Sequence, residues 1–92
     1  MKNYLIYAKE GCPFCDKLLG YMKESDMRFT YILMFDQTKV SFIKDKYNWE
    51  TVPIVIEVED NNGREKLIGG CDDTIKYFGR KITGDVIIPS GG

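Results

Sequence analysis

The chain has 92 residues, of which 43% are hydrophobic and 13% aromatic, and its formal net charge is −1. A domain of this size buries roughly 60–70% of its unfolded surface, so it can form a core without a metal or a disulfide staple. The near balance of charge gives no support for a nucleic-acid or membrane surface. The apolar run at the amino terminus is too short for a signal sequence or a membrane span, so we expect a cytoplasmic protein.

The first half of the chain predicts a strand, a helix and a second strand. Residues 3–8 form a continuous β-prone run, which is typical of a strand covered on both faces. Apolar residues then recur at helical spacing from Pro13 to about Glu24, and residues 28–34 are again β-prone. This order predicts a right-handed crossover that places the two strands in parallel.

A second helix and a hairpin follow. Asp36 or Thr38 can cap the helix, which we expect to end near Asn48. Residues 54–58 and 64–68 are predicted strands, and the Asp-Asn-Asn-Gly sequence between them predicts a tight hairpin turn.

The last predicted element is a short helix. Asp72 or Asp73 can cap it, and Gly79 is expected to end it. We therefore predict one domain over residues 1–79 and a C-terminal tail over residues 80–92 that is partly disordered.

Cys12 and Cys15 stand at the start of the first predicted helix. Pro13 suits the first helical position because its φ is preset and it has no N–H to leave unpaired. The unpaired N–H groups and the helix dipole favour the thiolate of Cys12, and Lys9 adds a nearby positive charge. Cys15 lies deeper and receives less of this field. We predict that Cys12 is the nucleophile and that Cys15 closes a disulfide behind it.

Zinc binding is the main alternative for this pair, since Cys-x-x-Cys is half of many zinc sites. The sequence has no histidine, and Cys71 stands alone, so zinc would need a carboxylate or a second chain. In a reducing compartment two close cysteines are more often catalytic or metal-binding than a structural bridge. We predict a redox pair and no metal site.

Three separated segments resemble the dithiol glutaredoxin family: Cys12-Pro13-Phe14-Cys15, Thr51-Val52-Pro53 and Gly69-Gly70-Cys71-Asp72-Asp73. The resemblance implies the thioredoxin fold, an α/β fold with a four-stranded mixed sheet (two parallel strands plus an antiparallel hairpin) flanked by three helices. It also implies a glutathione-dependent thiol–disulfide oxidoreductase that reduces glutathione mixed disulfides and protein disulfides. Glutathione would be a co-substrate, with no tightly bound cofactor.

The resemblance also implies a binding site for glutathione. The Val52–Pro53 bond would be cis, and the backbone of Val52 would pair with the cysteinyl unit of the ligand; taken alone, Pro53 could simply begin a strand. The helix entrance after Gly70 would hold the γ-glutamyl carboxylate, and Asp72 or Asp73 would hold the ammonium group. The implied glutathione-binding residues are Lys9, Phe14, Thr51, Val52, Pro53, Gly70, Cys71, Asp72 and Asp73.

Several positions are specific to this chain. Lys9 matches the family position that pairs with the glycine carboxylate of glutathione, and Gln37 and Lys39 could add to that contact. Phe14 replaces a frequent tyrosine, so an apolar wall remains without its hydroxyl. Glu50 stands where many relatives carry a basic residue, and its negative charge is expected to weaken the contact with the glycine carboxylate.

The expected partners are glutathione and glutathionylated or disulfide-bearing proteins, and we expect a monomer. Ribonucleotide reductase is a family-type protein substrate that no residue here selects. Two alternatives remain open. One is a thioredoxin-like electron donor reduced by a flavoprotein reductase. The other is an iron–sulfur cluster carrier, in which two protomers each offer Cys12 and a glutathione thiolate.

Overall fold

The computed structural model describes residues 2–83, with the backbone alone for residues 80–83. The strands and helices follow the predicted order: β1 (Lys2–Lys9), α1 (Pro13–Glu24), β2 (Phe29–Met34), α2 (Gln37–Tyr47), β3 (Ile54–Glu59), β4 (Glu65–Gly69) and α3 (Cys71–Thr83). The observed bounds lie close to the predicted ones, except at α3. None of these helices is long and apolar enough to cross a membrane.

The four strands form one mixed sheet in the order β2-β1-β3-β4. β1 and β2 are parallel, whereas β3 is antiparallel to both β1 and β4. The predicted fold class, a parallel pair plus an antiparallel hairpin flanked by three helices, is therefore confirmed. Because β1 is one of the two central strands and leads into α1, the start of that helix lies at the carboxyl end of a central strand.

Side chains alternate between the two faces of the sheet. Tyr4 and Ile6 of β1 pack in one cluster with residues of α1 and α3, including the fully buried Phe78. Leu5 and Tyr7 pack on the opposite face, in a cluster with residues of α2. The continuous apolar run of β1 thus reflects a strand covered by helices on both faces, as predicted.

A charged side chain, Glu57 of β3, is buried in the first of these clusters and is only 5% exposed. The hydroxyl groups of Tyr4 and Tyr77 donate to its Oε2 at 2.9 and 2.8 Å, and Lys2 Nζ lies 3.3 Å from its Oε1. Burial opposes the charge, but these partners outweigh it, so the pKa of Glu57 lies below its ordinary value. Both carboxylate oxygens are therefore paired within the fold.

The start of α3 differs from the prediction. Gly70, rather than Asp72 or Asp73, precedes the first helical residue, and its carbonyl accepts from the Thr74 N–H at 3.0 Å. Asp73 instead reaches back, and its Oδ2 accepts from the Gly70 N–H at 3.0 Å. This is the side-chain half of a capping box, in which the third helical residue satisfies the N–H of the cap.

The end of α3 also differs, because the helix continues through Gly79 to Thr83. A glycine inside a helix costs about 1 kcal/mol relative to alanine, which is less than the roughly 1.5–3 kcal/mol gained by burying a side chain such as Phe78. The predicted boundary at residue 79 thus falls within α3. Residues 84–92 of the predicted tail lie outside the described residues.

Candidate active site

Cys12 occupies the N-cap position of α1. Gly11 turns the chain after β1 with a φ of +69°, Cys12 is extended at φ −103° and ψ 107°, and Pro13 is at the start of the helix. The Sγ of Cys12 accepts a hydrogen bond from the Cys15 N–H at 3.3 Å. The sulfur therefore stands where a helix start offers donors to a negative charge.

The two cysteines of the motif are both free thiols, and their sulfur atoms lie 2.6 Å apart. The Cys15 thiol donates to Cys12 Sγ. Cys15 is fully buried, whereas Cys12 keeps 7% of its surface exposed. The predicted asymmetry is present: the outer sulfur receives two donors from the inner residue.

Burial, and next the hydrogen bond to Cys12, raises the pKa of the Cys15 thiol to about 12, against the opposing effect of a backbone hydrogen bond from Lys9. At neutral pH Cys15 therefore stays protonated and can donate to its neighbour. The contribution of Lys9 through its backbone is one that the sequence did not suggest.

The Val52–Pro53 peptide bond is cis, as the resemblance implied. It brings the Val52 carbonyl oxygen to 3.8 Å from Cys12 Sγ, which can donate to it as a thiol. The β1–β3 ladder ends at the Tyr7–Ile54 pair, so the backbone of Val52 lies beyond the ladder and beside Cys12.

A cavity of about 210 Å³ opens next to this turn. Its walls are Phe14, Thr51, Val52, Pro53, Gly70, Cys71, Asp72 and Asp73. Every residue of the implied glutathione set except Lys9 lines it. Three segments that are far apart in sequence thus meet beside Cys12, and we call this space the main cavity.

The basic residues proposed for the glycine carboxylate are placed elsewhere. Lys9 is exposed at the end of β1 and does not line the main cavity, and Lys39 lines a separate groove on α2. Gln37 is exposed at the first position of α2 and lines neither space. The structure therefore does not bring these three side chains into the cavity that holds the other predicted residues.

The two aspartates at the start of α3 have different environments. Asp73 holds the Gly70 N–H, whereas Asp72 is exposed and forms no hydrogen bond or salt bridge with any residue that the structure describes. Cys71 is buried next to them, and burial raises the pKa of its thiol, with Lys17 acting in the opposite direction. Asp72 is thus the carboxylate open to a ligand.

A second cavity of about 240 Å³, which we call the side cavity, adjoins the first. It is lined by Asn48, Trp49, Glu50 and Thr51, and Thr51 is also a wall of the main cavity. Sequence reasoning missed Asn48 and Trp49. A signal was present in Asn48, a residue type that tolerates the left-handed conformation it adopts as the C-cap of α2.

Among residues 2–83, no group of three or more histidine, cysteine, aspartate or glutamate side chains is arranged to hold a metal ion. The absence of a metal site was a prediction from composition, and it stays one.

Comparison with known proteins agrees with this geometry. The glutaredoxin family model matches residues 5–61. The hybrid peroxiredoxin hyPrx5 of Haemophilus influenzae is 32% identical over 73 residues, which are 79% of this chain but only 28% of that protein. The chain therefore spans less than a third of this relative.

Two solved structures are also similar. Wheat glutaredoxin has a TM-score of 0.64 and 32% identity, with 82% of this chain and 69% of that chain covered. A thioredoxin of Plasmodium falciparum has a TM-score of 0.54 with 15% identity over 88% of this chain and 70% of that chain, which supports the fold alone. The family model and the wheat structure together establish that this chain belongs to the glutaredoxin family.

Proposed function

We propose that this protein is a glutathione-dependent thiol–disulfide oxidoreductase that reduces glutathione mixed disulfides and protein disulfides. Thiol–disulfide oxidoreduction is the general chemistry of its family. The observation that carries the proposal is the position of Cys12 Sγ, 3.8 Å from the carbonyl oxygen of Val52. Val52 belongs to the cis turn that lines the main cavity together with the start of α3.

The first step needs a thiolate with access to a disulfide. Cys12 thiolate attacks the glutathione sulfur of a mixed disulfide, a Cys12–glutathione disulfide forms, and the substrate leaves as a thiolate. The N–H and S–H of Cys15 stabilise the Cys12 thiolate before attack. No general base is required.

Two routes complete the cycle. A second glutathione thiolate can attack the Cys12–glutathione disulfide at the glutathione sulfur, which releases oxidised glutathione and regenerates Cys12 thiolate. Alternatively, Cys15 attacks Cys12, glutathione leaves as a thiolate, and an internal disulfide forms. Because burial keeps the Cys15 thiol protonated at neutral pH, the first route is expected to dominate for glutathione mixed disulfides.

The ligand can bind as an added strand. Its cysteinyl N–H and C=O would pair with Val52, whose backbone lies beyond the β1–β3 ladder. Its γ-glutamyl unit would then lie near Gly70, since a Cβ atom on Gly70 would be 3.6 Å from the Pro53 carbonyl oxygen. The N–H groups at the start of α3 suit the γ-glutamyl carboxylate, and Asp72 suits the ammonium group.

The deciding experiment measures glutathione-dependent reduction of a small glutathione mixed disulfide by the native protein, Cys12→Ser and Cys15→Ser. We expect the Cys12 variant to lose activity by at least about a thousandfold, because it lacks the nucleophile, and the Cys15 variant to keep most of it. Loss of activity in the Cys15 variant alone would contradict the proposed first route.

This assay and a cluster reconstitution separate the competing functions. A thioredoxin-like donor would show no turnover with glutathione and would need a flavoprotein reductase. A cluster carrier would gain visible absorbance and a dimeric mass after anaerobic reconstitution with iron and sulfide. Ribonucleotide reductase as a substrate, a monomeric state and a cytoplasmic location remain predictions.

A further inference from the structure

We propose that the site prefers γ-glutamyl-cysteinyl thiols with an amidated C-terminus over glutathione, which has a free glycine carboxylate. The amide can be uncharged or can carry a cationic group. The proposal rests on the proposed function and names the substrate class of that site. Glu50 is the specificity-determining residue, and the side cavity takes the C-terminal group.

The direction of the ligand follows from its pairing with Val52. In an antiparallel pair the two chains run in opposite directions. If the cysteinyl unit is opposite Val52, the γ-glutamyl unit extends along Pro53 toward Asp72, and the C-terminal residue extends along Thr51 toward Glu50. Thr51 is the wall that the two cavities share, so the C-terminal group leaves the main cavity at the entrance of the side cavity.

The charges on these walls disfavour a second ligand carboxylate. Among the described residues that line the two cavities there are three carboxylates, from Glu50, Asp72 and Asp73, and no lysine or arginine. The γ-glutamyl carboxylate has the N–H groups of α3 to receive it, but the C-terminal carboxylate would face Glu50 without a counter-charge on these walls. Lys9 does not line either cavity.

The side cavity has room for a larger group. Its volume of about 240 Å³ exceeds what a terminal carboxylate fills, and Trp49 lines it beside Glu50. A cationic extension would be attracted by Glu50 and could lie against the aromatic ring. An uncharged amide would simply remove the repulsion.

The chemistry of the transfer is unchanged. Cys12 thiolate still bonds to the γ-glutamyl-cysteinyl sulfur, and the other half of the disulfide leaves as a thiolate. The charge of the C-terminal group changes only how readily the ligand binds with its sulfur next to Cys12.

The test uses three disulfides of 2-mercaptoethanol: with glutathione, with glutathione C-terminal amide, and with glutathione aminopropyl amide. The second-order rate constant of each with the pre-reduced protein is measured by rapid acid quench and mass spectrometry at low ionic strength. We expect the amide to react about threefold faster than the free acid and the cationic amide about tenfold faster. The C-terminal group of these two ligands is more positive by one and two elementary charges, which reduces its repulsion by Glu50 at the surface. High salt should bring the three rates together.

Variants assign the preference to Glu50. Glu50→Gln should bring the three rate constants close together, and Glu50→Lys should reverse their order. Glu24→Lys is the matched control, since it makes the same charge change at an exposed position at the end of α1 that lines neither cavity, and it should keep the native order. Comparing variants on the same substrates removes any difference in intrinsic reactivity.

Two outcomes would overturn the proposal, and they can be told apart. If Cys12 reacts with none of the three disulfides, the proposed function fails and the substrate class fails with it. If Cys12 reacts rapidly but the free acid is equal or preferred, or if Glu50→Lys leaves the order unchanged, the oxidoreductase function stands and the selection by Glu50 is wrong.

Discussion

The middle of β3 and the turn that precedes it differ in how far their polar groups are paired within the fold. At Glu57 the fold provides a partner for each carboxylate oxygen, from Tyr4, Tyr77 and Lys2. At Val52 the backbone lies beyond the ladder, next to a cavity where Asp72 pairs with no described residue. The difference indicates which polar groups stabilise the structure and which are left for a ligand.

The largest expected effect is the loss of stability when the carboxylate of Glu57 is removed. Glu57→Ala should lower the free energy of unfolding by about 3–5 kcal/mol, because it leaves the buried Tyr4 hydroxyl and the half-buried Tyr77 hydroxyl without this acceptor. Urea denaturation measures the loss. Glu59→Ala, two residues along the same strand, is the control and should change stability by no more than about 0.5 kcal/mol. Equal losses in both variants would show that the Glu57 pairs contribute little.

The next largest effect is a difference in the stability lost when each of the two glycines before α3 is replaced by alanine. Gly69 has a φ of +129°, and a Cβ there would lie 2.8 Å from the Cβ and Oδ2 of Asp73. Gly69→Ala should therefore cost about 1–3 kcal/mol of stability, since both backbone and contact are strained. Thermal denaturation provides the measurement.

Gly70→Ala is the matched control for that variant. A Cβ at Gly70 would meet the Pro53 carbonyl oxygen, Asp73 Oδ2 and Trp49 Nε1 at 3.6 to 3.8 Å, which are ordinary contact distances. We expect a change in stability of about 0.5 kcal/mol or less. A larger loss at Gly70 than at Gly69 would contradict the assignment of Asp73 to the helix cap.

The next prediction concerns the active site, where the rate of attack by Cys15 on the Cys12–glutathione disulfide should depend on pH. Burial, the largest cause of the raised pKa of Cys15, also acts in the Cys12–glutathione disulfide, so the Cys15 thiolate fraction should grow about tenfold per pH unit at neutral and mildly alkaline pH. Release of glutathione from the Cys12–glutathione disulfide by Cys15 should rise in parallel up to about pH 9. Stopped-flow measurement of the released thiol follows it.

Attack by external glutathione provides the control for that dependence. In Cys15→Ser the same mixed disulfide can be resolved only by added thiol, and its rate should level off near the ordinary thiol pKa of about 8.5. A rate in the native protein that levels off at the same pH would mean that burial does not limit Cys15.

The smallest effect concerns acid stability. The pKa of Glu57 is lower in the folded protein than its ordinary value of 4.5, so the folded state binds this proton less readily than the unfolded state does. Its contribution is therefore present above pH 4.5 and is lost as the pH falls through the lowered pKa. Glu57→Gln, which keeps an acceptor oxygen, should flatten this acid-side decline in stability measured by denaturant titration. An unchanged acid slope would assign the decline to other carboxyl groups.

Local patterns in the sequence predicted the elements well, and the role of Cys12 as the nucleophile stays a prediction. Pro13 after Cys12 fixes a helix start, and this requires only neighbouring residues. The cis bond before Pro53 came from the resemblance and not from the residues themselves, since an isolated proline before a β-prone run is compatible with either isomer.

Features that depend on distant contacts were not predictable. Glu57 reads as one polar residue in an apolar strand, and its partners Tyr4 and Tyr77 are 53 and 20 residues away. The continuation of α3 past Gly79 depends on the burial of Phe78 against the sheet rather than on local propensity.

The buried carboxylate also selects how β1 and β3 pair. In the observed alignment Tyr4 is opposite Glu57, and both side chains face α1 and α3. A slip of one residue would turn every side chain of β3 to the other face and place Glu57 among Met34, Val40 and Ile43 beneath α2. A carboxylate among these apolar side chains would carry a large desolvation cost. The buried Glu57 thus disfavours a pairing of β1 and β3 that is shifted by one residue. The observed pairing holds the cis Val52–Pro53 bond, just before β3, next to Cys12.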